Sequence, residues 1–154
     1  MQLVDLFPRE RVFLNVDVSS RKELITFLSE RVEQCGVSNQ QLCANALRAR
    51  EELGSTGLGK GIAIPHARIE GLDRSVGILA TLAEPIDFES VDQEPVDIVL
   101  MLLMPEQAGG EQMKVLSRIA VLARQESVMT RLRQATDVDE ALDIIGSAES
   151  GAEE

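Results

Sequence analysis

His66 is the only histidine in the chain. A single imidazole with suitable neighbours is a nucleophile or a general base near neutral pH. It sits in "GSTGLGKGIAIPHAR", residues 54 to 68. Gly54, Gly59 and Lys60 match the opening of the phosphate-binding loop G-x-x-x-x-G-K-[ST], but Gly61 stands where that loop has its magnesium-binding hydroxyl. The loop also requires a strand before it and a helix after it, so that the helix N-terminus meets the phosphates. Here the predicted order is reversed: a helix precedes and an apolar, β-prone "IAI" follows. The nucleotide reading therefore fails on both chemistry and order. Gly54, Gly57, Gly59 and Gly61 suit close backbone approach instead, and successive N–H groups in such a segment form an anion-binding concavity.

The surroundings of His66 favour the same anion. Pro65 sets its own φ and restricts Ile64, so the approach to the ring is stiff. Arg50 lies near the end of the preceding helix and Arg68 two residues beyond the histidine. A permanent cation beside an imidazole disfavours imidazolium and attracts phosphate. A zinc centre needs three or four His, Cys, Asp or Glu ligands, which one histidine and the helical Cys35 and Cys43 do not supply, so no metal or other cofactor is expected. Cys43 reads as a small core residue, and no nucleophile elbow surrounds Ser55 or Thr56.

Particular elements must hold these groups. Ser20 to Glu23 forms a capping box before Leu24, Ile25, Phe27, Leu28 and Val32, which recur at helical spacing, and Gly36 ends that helix. Ser38 to Gln41 is a second capping box, opening a helix through Leu42, Ala46 and Leu47 that Gly54 stops. Residues 62–64 form a short strand that places His66 at its end. "VGILATLA" (76–83) and "VDIVLMLLM" (96–104) read as buried strands, and "FLNV" near Phe13 as an edge strand. Met113, Leu116, Ile119, Ala120 and Ala123 mark an apolar helix face. Val128, Met129 and Leu132 mark a second, and Asp137 to Glu140 cap a final helix carrying Leu142, Ile144 and Ile145. The expected fold is an α/β single domain, a mixed parallel and antiparallel sheet flanked by helices over residues 1–146, with a flexible acidic tail at 147–154.

Composition bounds the partners. The net charge of −11 opposes a nucleic acid or an anionic membrane surface, and suits a basic protein surface. No apolar run approaches the roughly 18 residues that span a bilayer, so no membrane insertion is expected. The N-terminus lacks a secretory pattern, and the two cysteines show no disulfide framework, which points to the cytoplasm.

"RAREELGSTGLGKGIAIPHARIEGL" resembles the EIIA type-2 (fructose/mannitol) proteins of the bacterial phosphoenolpyruvate phosphotransferase system, nearest to their nitrogen-regulatory branch. The resemblance continues through "EPIDFESVDQEPVDIVLMLLMP" and the helical end, roughly residues 5 to 146. It implies a site in a shallow depression, where His66 accepts a phosphoryl group from an HPr-like phosphocarrier protein and Arg50 matches the active-site arginine. The Ser55 and Thr56 hydroxyls are then further hydrogen-bond donors to the phosphate. Relatives often carry a second active-site histidine on the helix after "LLMP"; this chain has Gln112 and Lys114 in that region, and Lys114 is the expected partial replacement. Leu58, Ile69 and Leu72 are candidates for an apolar docking patch. Three functions stay open: a regulatory carrier acting on target proteins, a sugar-transport component donating to a separate IIB protein, and an unphosphorylated interaction module.

Overall fold

The computed structural model describes residues 2–107 and 109–153, and the side chains through Glu149. Two 3-10 turns, Leu3–Leu6 and Arg9–Arg11, lead into β1 (Val12–Val16). Helices α1 (Arg21–Gln34) and α2 (Gln40–Glu52) follow. Then come β2 (Gly57–Gly59), β3 (Ile62–Ala63), β4 (His66–Ile69), β5 (Val76–Ile86) and β6 (Val96–Pro105). Helices α3 (Gly110–Ala123), α4 (Glu126–Gln134) and α5 (Val138–Glu153) close the chain.

The strands make one mixed sheet in the order β1-β5-β6-β3-β2, with β4 also on β6. β5 and β6 are antiparallel, β1 runs parallel to β5, and β3 and β4 run parallel to β6. The expected α/β mixed sheet is thus the fold observed. β6 is apolar at almost every position because both its faces are covered. Leu100, Leu102 and Met104 pack beneath α3, α4 and α5, while Val99, Met101 and Leu103 pack beneath α1 and α2. Burying each such side chain stabilises by about 1.5–3 kcal/mol.

β3 and β4 are one strand interrupted. Ile62 pairs Ile98 and His66 pairs Leu102, so the register on β6 is unbroken across Ile64 and Pro65. Pro65 has no N–H to give, yet its carbonyl still accepts from Leu102 N at 2.9 Å. His66 therefore opens a strand where the sequence reading places it at the end of one, and a rigid edge of the sheet carries it.

The Gly-rich segment is not a loop throughout. β2 and β3 form a hairpin whose turn is Lys60 (φ 56°) and Gly61 (φ 85°). Two central residues at positive φ are the geometry of a tight I′-type hairpin turn. The "GK" that mimics a nucleotide loop is this turn.

Two helix boundaries differ from the sequence reading. Ser20 caps α1 as expected, but α2 is capped one residue later than the Ser38 box implies. Asn39 Oδ1 accepts from Gln41 N at 2.8 Å and Leu42 N at 3.1 Å. The second difference is the tail. α5 continues to Glu153, and Glu149 is buried, accepting from Leu3 N at 2.6 Å and pairing with Arg118. These partners lie far away in sequence, so a polar composition alone reads as a frayed end. Residue 154 lies outside the described residues.

Candidate active site

α2 is two-sided, and that positions Arg50. Cys43, Leu47 and Glu51, four apart, turn inward and are buried. Ala46, Ala49, Arg50 and Leu53 form the adjoining stripe and line an open depression of about 720 Å³. Its other walls are Glu52 of α2, His66, Ala67 and Arg68 of β4, Met104 of β6 and Met113 in the first turn of α3. Of the expected site residues, His66 and Arg50 are brought together here, with Arg68, noted in the sequence only as a nearby cation, beside them.

The imidazole is held at both nitrogens. Nδ1 lies 2.8 Å from the Ile64 carbonyl oxygen, which has no proton to give, so Nδ1–H donates to it. Nε2 is then the deprotonated nitrogen, and Arg50 Nε–H donates to it at 3.3 Å. Arg50 Nη1 donates to the Gly54 carbonyl at 2.8 Å, anchoring the guanidinium at the turn that ends α2. Burial lowers the pKa of His66 below 6.5, and the Arg50 cation lowers it further, while the bond to Ile64 and the carboxylate of Glu51 oppose the shift. The ring is neutral at pH 7 with its lone pair on Nε2.

The hydroxyls of Ser55 and Thr56 are committed elsewhere. Ser55 Oγ donates to the Phe88 carbonyl at 2.6 Å and accepts from Gly57 N at 3.0 Å. Thr56 is buried, its hydroxyl donating to Glu51 and its N–H to Glu51 Oε2 at 3.2 Å. Neither side chain lines the depression. Lys114 is exposed and does not line it either, and Gln112 lines the neighbouring cleft with Arg11 and Arg74. The residue that α3 turns towards His66's depression is Met113, one position from each; successive helical residues point about 100° apart. The apolar patch shifts likewise. Leu58 is 43% exposed, but Ile69 is buried in the core at 2% and Leu72 packs against it. The exposed apolar groups on the depression are Leu53, 85% exposed, and Met113, 44% exposed.

Two residues behind the site are not singled out by the sequence reading. Glu51 is a buried carboxylate, with Arg21 Nη1 3.6 Å from its Oε2. Ser90 packs so closely on Gly57 that a Cβ there would lie 2.2 Å from Ser90 Oγ. The one hint in the sequence is that Glu51 continues the i, i+4 spacing of Cys43 and Leu47 on the inward face of α2.

Residues 5–148 match the family described as phosphoenolpyruvate-dependent sugar phosphotransferase system, EIIA 2. The chain is 38% identical over 137 residues to a nitrogen regulatory protein of Bradyrhizobium diazoefficiens, covering 89% of this chain and 90% of that one. It is 33% identical to the nitrogen regulatory protein of Pseudomonas aeruginosa, covering 98% and 99%. The fold superposes on the crystal structure of nitrogen regulatory protein IIA-Ntr from Neisseria meningitidis with a TM-score of 0.88 and 34% identity, over 93% of this chain and 98% of that one. Among the described residues no helix is long and apolar enough to cross a membrane. By sequence and fold, the chain belongs to the EIIA type-2 family of the phosphoenolpyruvate-dependent phosphotransferase system.

Proposed function

We propose that this protein is a cytoplasmic phosphohistidine carrier that accepts a phosphoryl group on His66 Nε2 from an HPr-like phosphocarrier protein. The observation that carries the reading is the 2.8 Å bond from Nδ1 to the Ile64 carbonyl, which leaves the lone pair on the nitrogen facing Arg50. Nε2 attacks phosphorus in line as the bond to the carrier's imidazole breaks, and that electron pair returns to the carrier's ring. The Nδ1 proton stays in place, and the positive charge that develops on the His66 ring is stabilised by the Ile64 carbonyl. Arg50 Nε–H is only loosely engaged: 3.3 Å is beyond the usual 2.7–3.2 Å range of a good N–H bond. It is free to turn onto the incoming oxygens while Nη1 keeps its 2.8 Å anchor on Gly54. Arg68 adds a second cation at the rim. Positioning and charge neutralisation of this kind supply most of the catalysis in phosphoryl transfer.

Leu53 and Met113 offer the donor an apolar contact beside the nucleophile, and the net charge of −11 suits a basic donor surface. The likeness to nitrogen regulatory proteins, over nearly their full lengths, favours a regulatory carrier whose phosphorylation state alters binding to target proteins. Incubation with phosphoenolpyruvate, Enzyme I and an HPr-like carrier tests the reading. Intact protein gains the mass of one phosphoryl group, acid-labile and base-stable, and His66→Ala gains none. A phosphorylated His66→Ala protein refutes the assignment, and an unmodified wild type leaves the interaction-module reading. Transfer onward to a IIB protein in the same mixture identifies a transport component.

A further inference from the structure

We infer that the buried pair Glu51–Thr56 is the positioning device of this site, setting the His66 tautomer through the Glu51 carboxylate and the Arg50 guanidinium through the Glu51 backbone carbonyl. The inference rests on the phosphocarrier reading for its kinetic consequence, but not for its effect on the unmodified ring. Glu51 is 6% exposed and Thr56 5% exposed, so both are out of reach of a transferred phosphate. The Glu51 carboxylate accepts both the hydroxyl and the N–H of Thr56. Thr56 in turn accepts Ile64 N–H on its own carbonyl at 3.0 Å. The Ile64 carbonyl, two residues before His66, then takes Nδ1–H at 2.8 Å. A continuous chain of bonds thus runs from Glu51 through Thr56 and Ile64 to the imidazole.

A second branch leaves the same residue. The Glu51 backbone carbonyl accepts Gly54 N–H at 3.1 Å, and the Gly54 carbonyl accepts Arg50 Nη1 at 2.8 Å. With Thr56 pinned to the Glu51 side chain and Gly54 to its backbone, the turn between them has no freedom to swing. The carboxylate itself is steadied by Arg21, whose Nη1 is 3.6 Å from Glu51 Oε2 and whose guanidinium stacks 5.6 Å from the Phe88 ring centroid. A buried carboxylate is retained only where such partners hold it. Both the nucleophile and its clamp depend on these bonds, and an error of about 1 Å in a reacting group costs on the order of 10²-fold in rate.

Because His66 is the only histidine, its ring nitrogens are observable by 15N NMR without ambiguity. The variants are Thr56→Val, which keeps the shape and loses the hydroxyl donor, and Thr56→Ser, which keeps both donors. In the wild type the proton sits on Nδ1. In Thr56→Val the signals move to a mixture of tautomers and phosphoryl uptake slows about tenfold, part of the misplacement cost above; in Thr56→Ser both return to the wild-type values. Glu51→Met keeps the length of the side chain, removes both acceptor oxygens, and gives the same pair of changes. Thermal unfolding confirms that each variant is folded, and if Glu51→Met is not, the Thr56 pair decides. An unchanged tautomer and uptake rate in folded Thr56→Val overturns the inference. A shifted tautomer in a protein that is never phosphorylated, wild type included, upholds the positioning and sinks the carrier reading.

Discussion

Replacing Arg50 by Met separates two effects that the guanidinium has on His66. The substitution keeps an unbranched stem against Ala46 and Leu53 but removes the donors to Nε2 at 3.3 Å and to Gly54 at 2.8 Å. Each hydrogen bond from a charged group is worth about 1.5–3 kcal/mol. The resting contact to Nε2 is long and contributes little, so the loss falls mainly on the transfer step, where the fork would grip the phosphoryl oxygens. Removing one preorganised donor to a developing charge slows a reaction on the order of 10²–10³-fold, and that is the expected fall in phosphoryl uptake. The imidazole responds in the opposite sense. With the cation gone and the depression wetter, the His66 pKa rises back towards 6.5, since burial and Arg50 are what lower it. A more basic Nε2 is intrinsically the better nucleophile, so the two explanations for Arg50 predict opposite signs. Uptake is followed by intact mass at early times with a phosphorylated HPr-like donor, and the pKa by NMR titration of the single histidine. Arg50→Lys restores a charge without the planar fork and recovers the rate only in part. Uptake that is unchanged or faster in Arg50→Met, with a raised pKa, refutes a clamping role and leaves Arg50 as no more than a tuning charge.

Three further outcomes follow from the geometry. Because the folded pKa of His66 is lowered, the unfolded chain takes up this proton first as pH falls, so the histidine's contribution to stability is full above pH 6.5 and declines as pH drops from there to the folded value; urea midpoints of wild type lose ground to His66→Gln across that window, and parallel curves would refute it. Gly57→Ala drives a methyl to 2.2 Å from Ser90 Oγ and costs about 1–3 kcal/mol by overpacking, most of which Ser90→Gly in the same chain recovers, as thermal or urea unfolding would show. Lys114→Ala leaves the lifetime of the phosphorylated protein unchanged, since Lys114 is exposed and off the depression, whereas Met113→Ala opens its wall to water and shortens that lifetime severalfold, both read by timed mass spectra.

What the sequence made legible is what local chemistry dictates. The strands at 76–83 and 96–104 announce themselves because a strand covered on both faces is apolar at every position, and Leu100 to Leu103 are all fully buried. Arg50 and His66 are legible as partners because one ends a helix and the other follows a short, proline-stiffened strand, which leaves the chain little room to separate them. The uncommitted hydroxyls of Ser55 and Thr56 were the natural donors to assign on the same grounds. Their true partners, Phe88 and Glu51, depend on how the turn folds back, and no residue spacing encodes that.

The second wall of the site shows where local reasoning stops. α3 is held by Ile119, Leu122 and Ala123, which sit two to three turns beyond the depression. Its rotation about its own axis is set by those contacts, and that rotation decides which first-turn residue looks at His66. An apolar residue at position 113 reads naturally as the start of the core stripe, and a lysine at 114 as the group with chemistry to offer. The packing brings Met113 to the depression and leaves Lys114 in water, because a shift of one residue is a turn of about 100°. A thioether there cannot donate to a phosphate or accept from an imidazole N–H with any strength. Among the described residues, the side-chain cations lining this depression are Arg50 and Arg68, on the α2 and β4 side with Glu52 beside them, while the α3 side supplies a flexible apolar surface suited to contact with a partner protein.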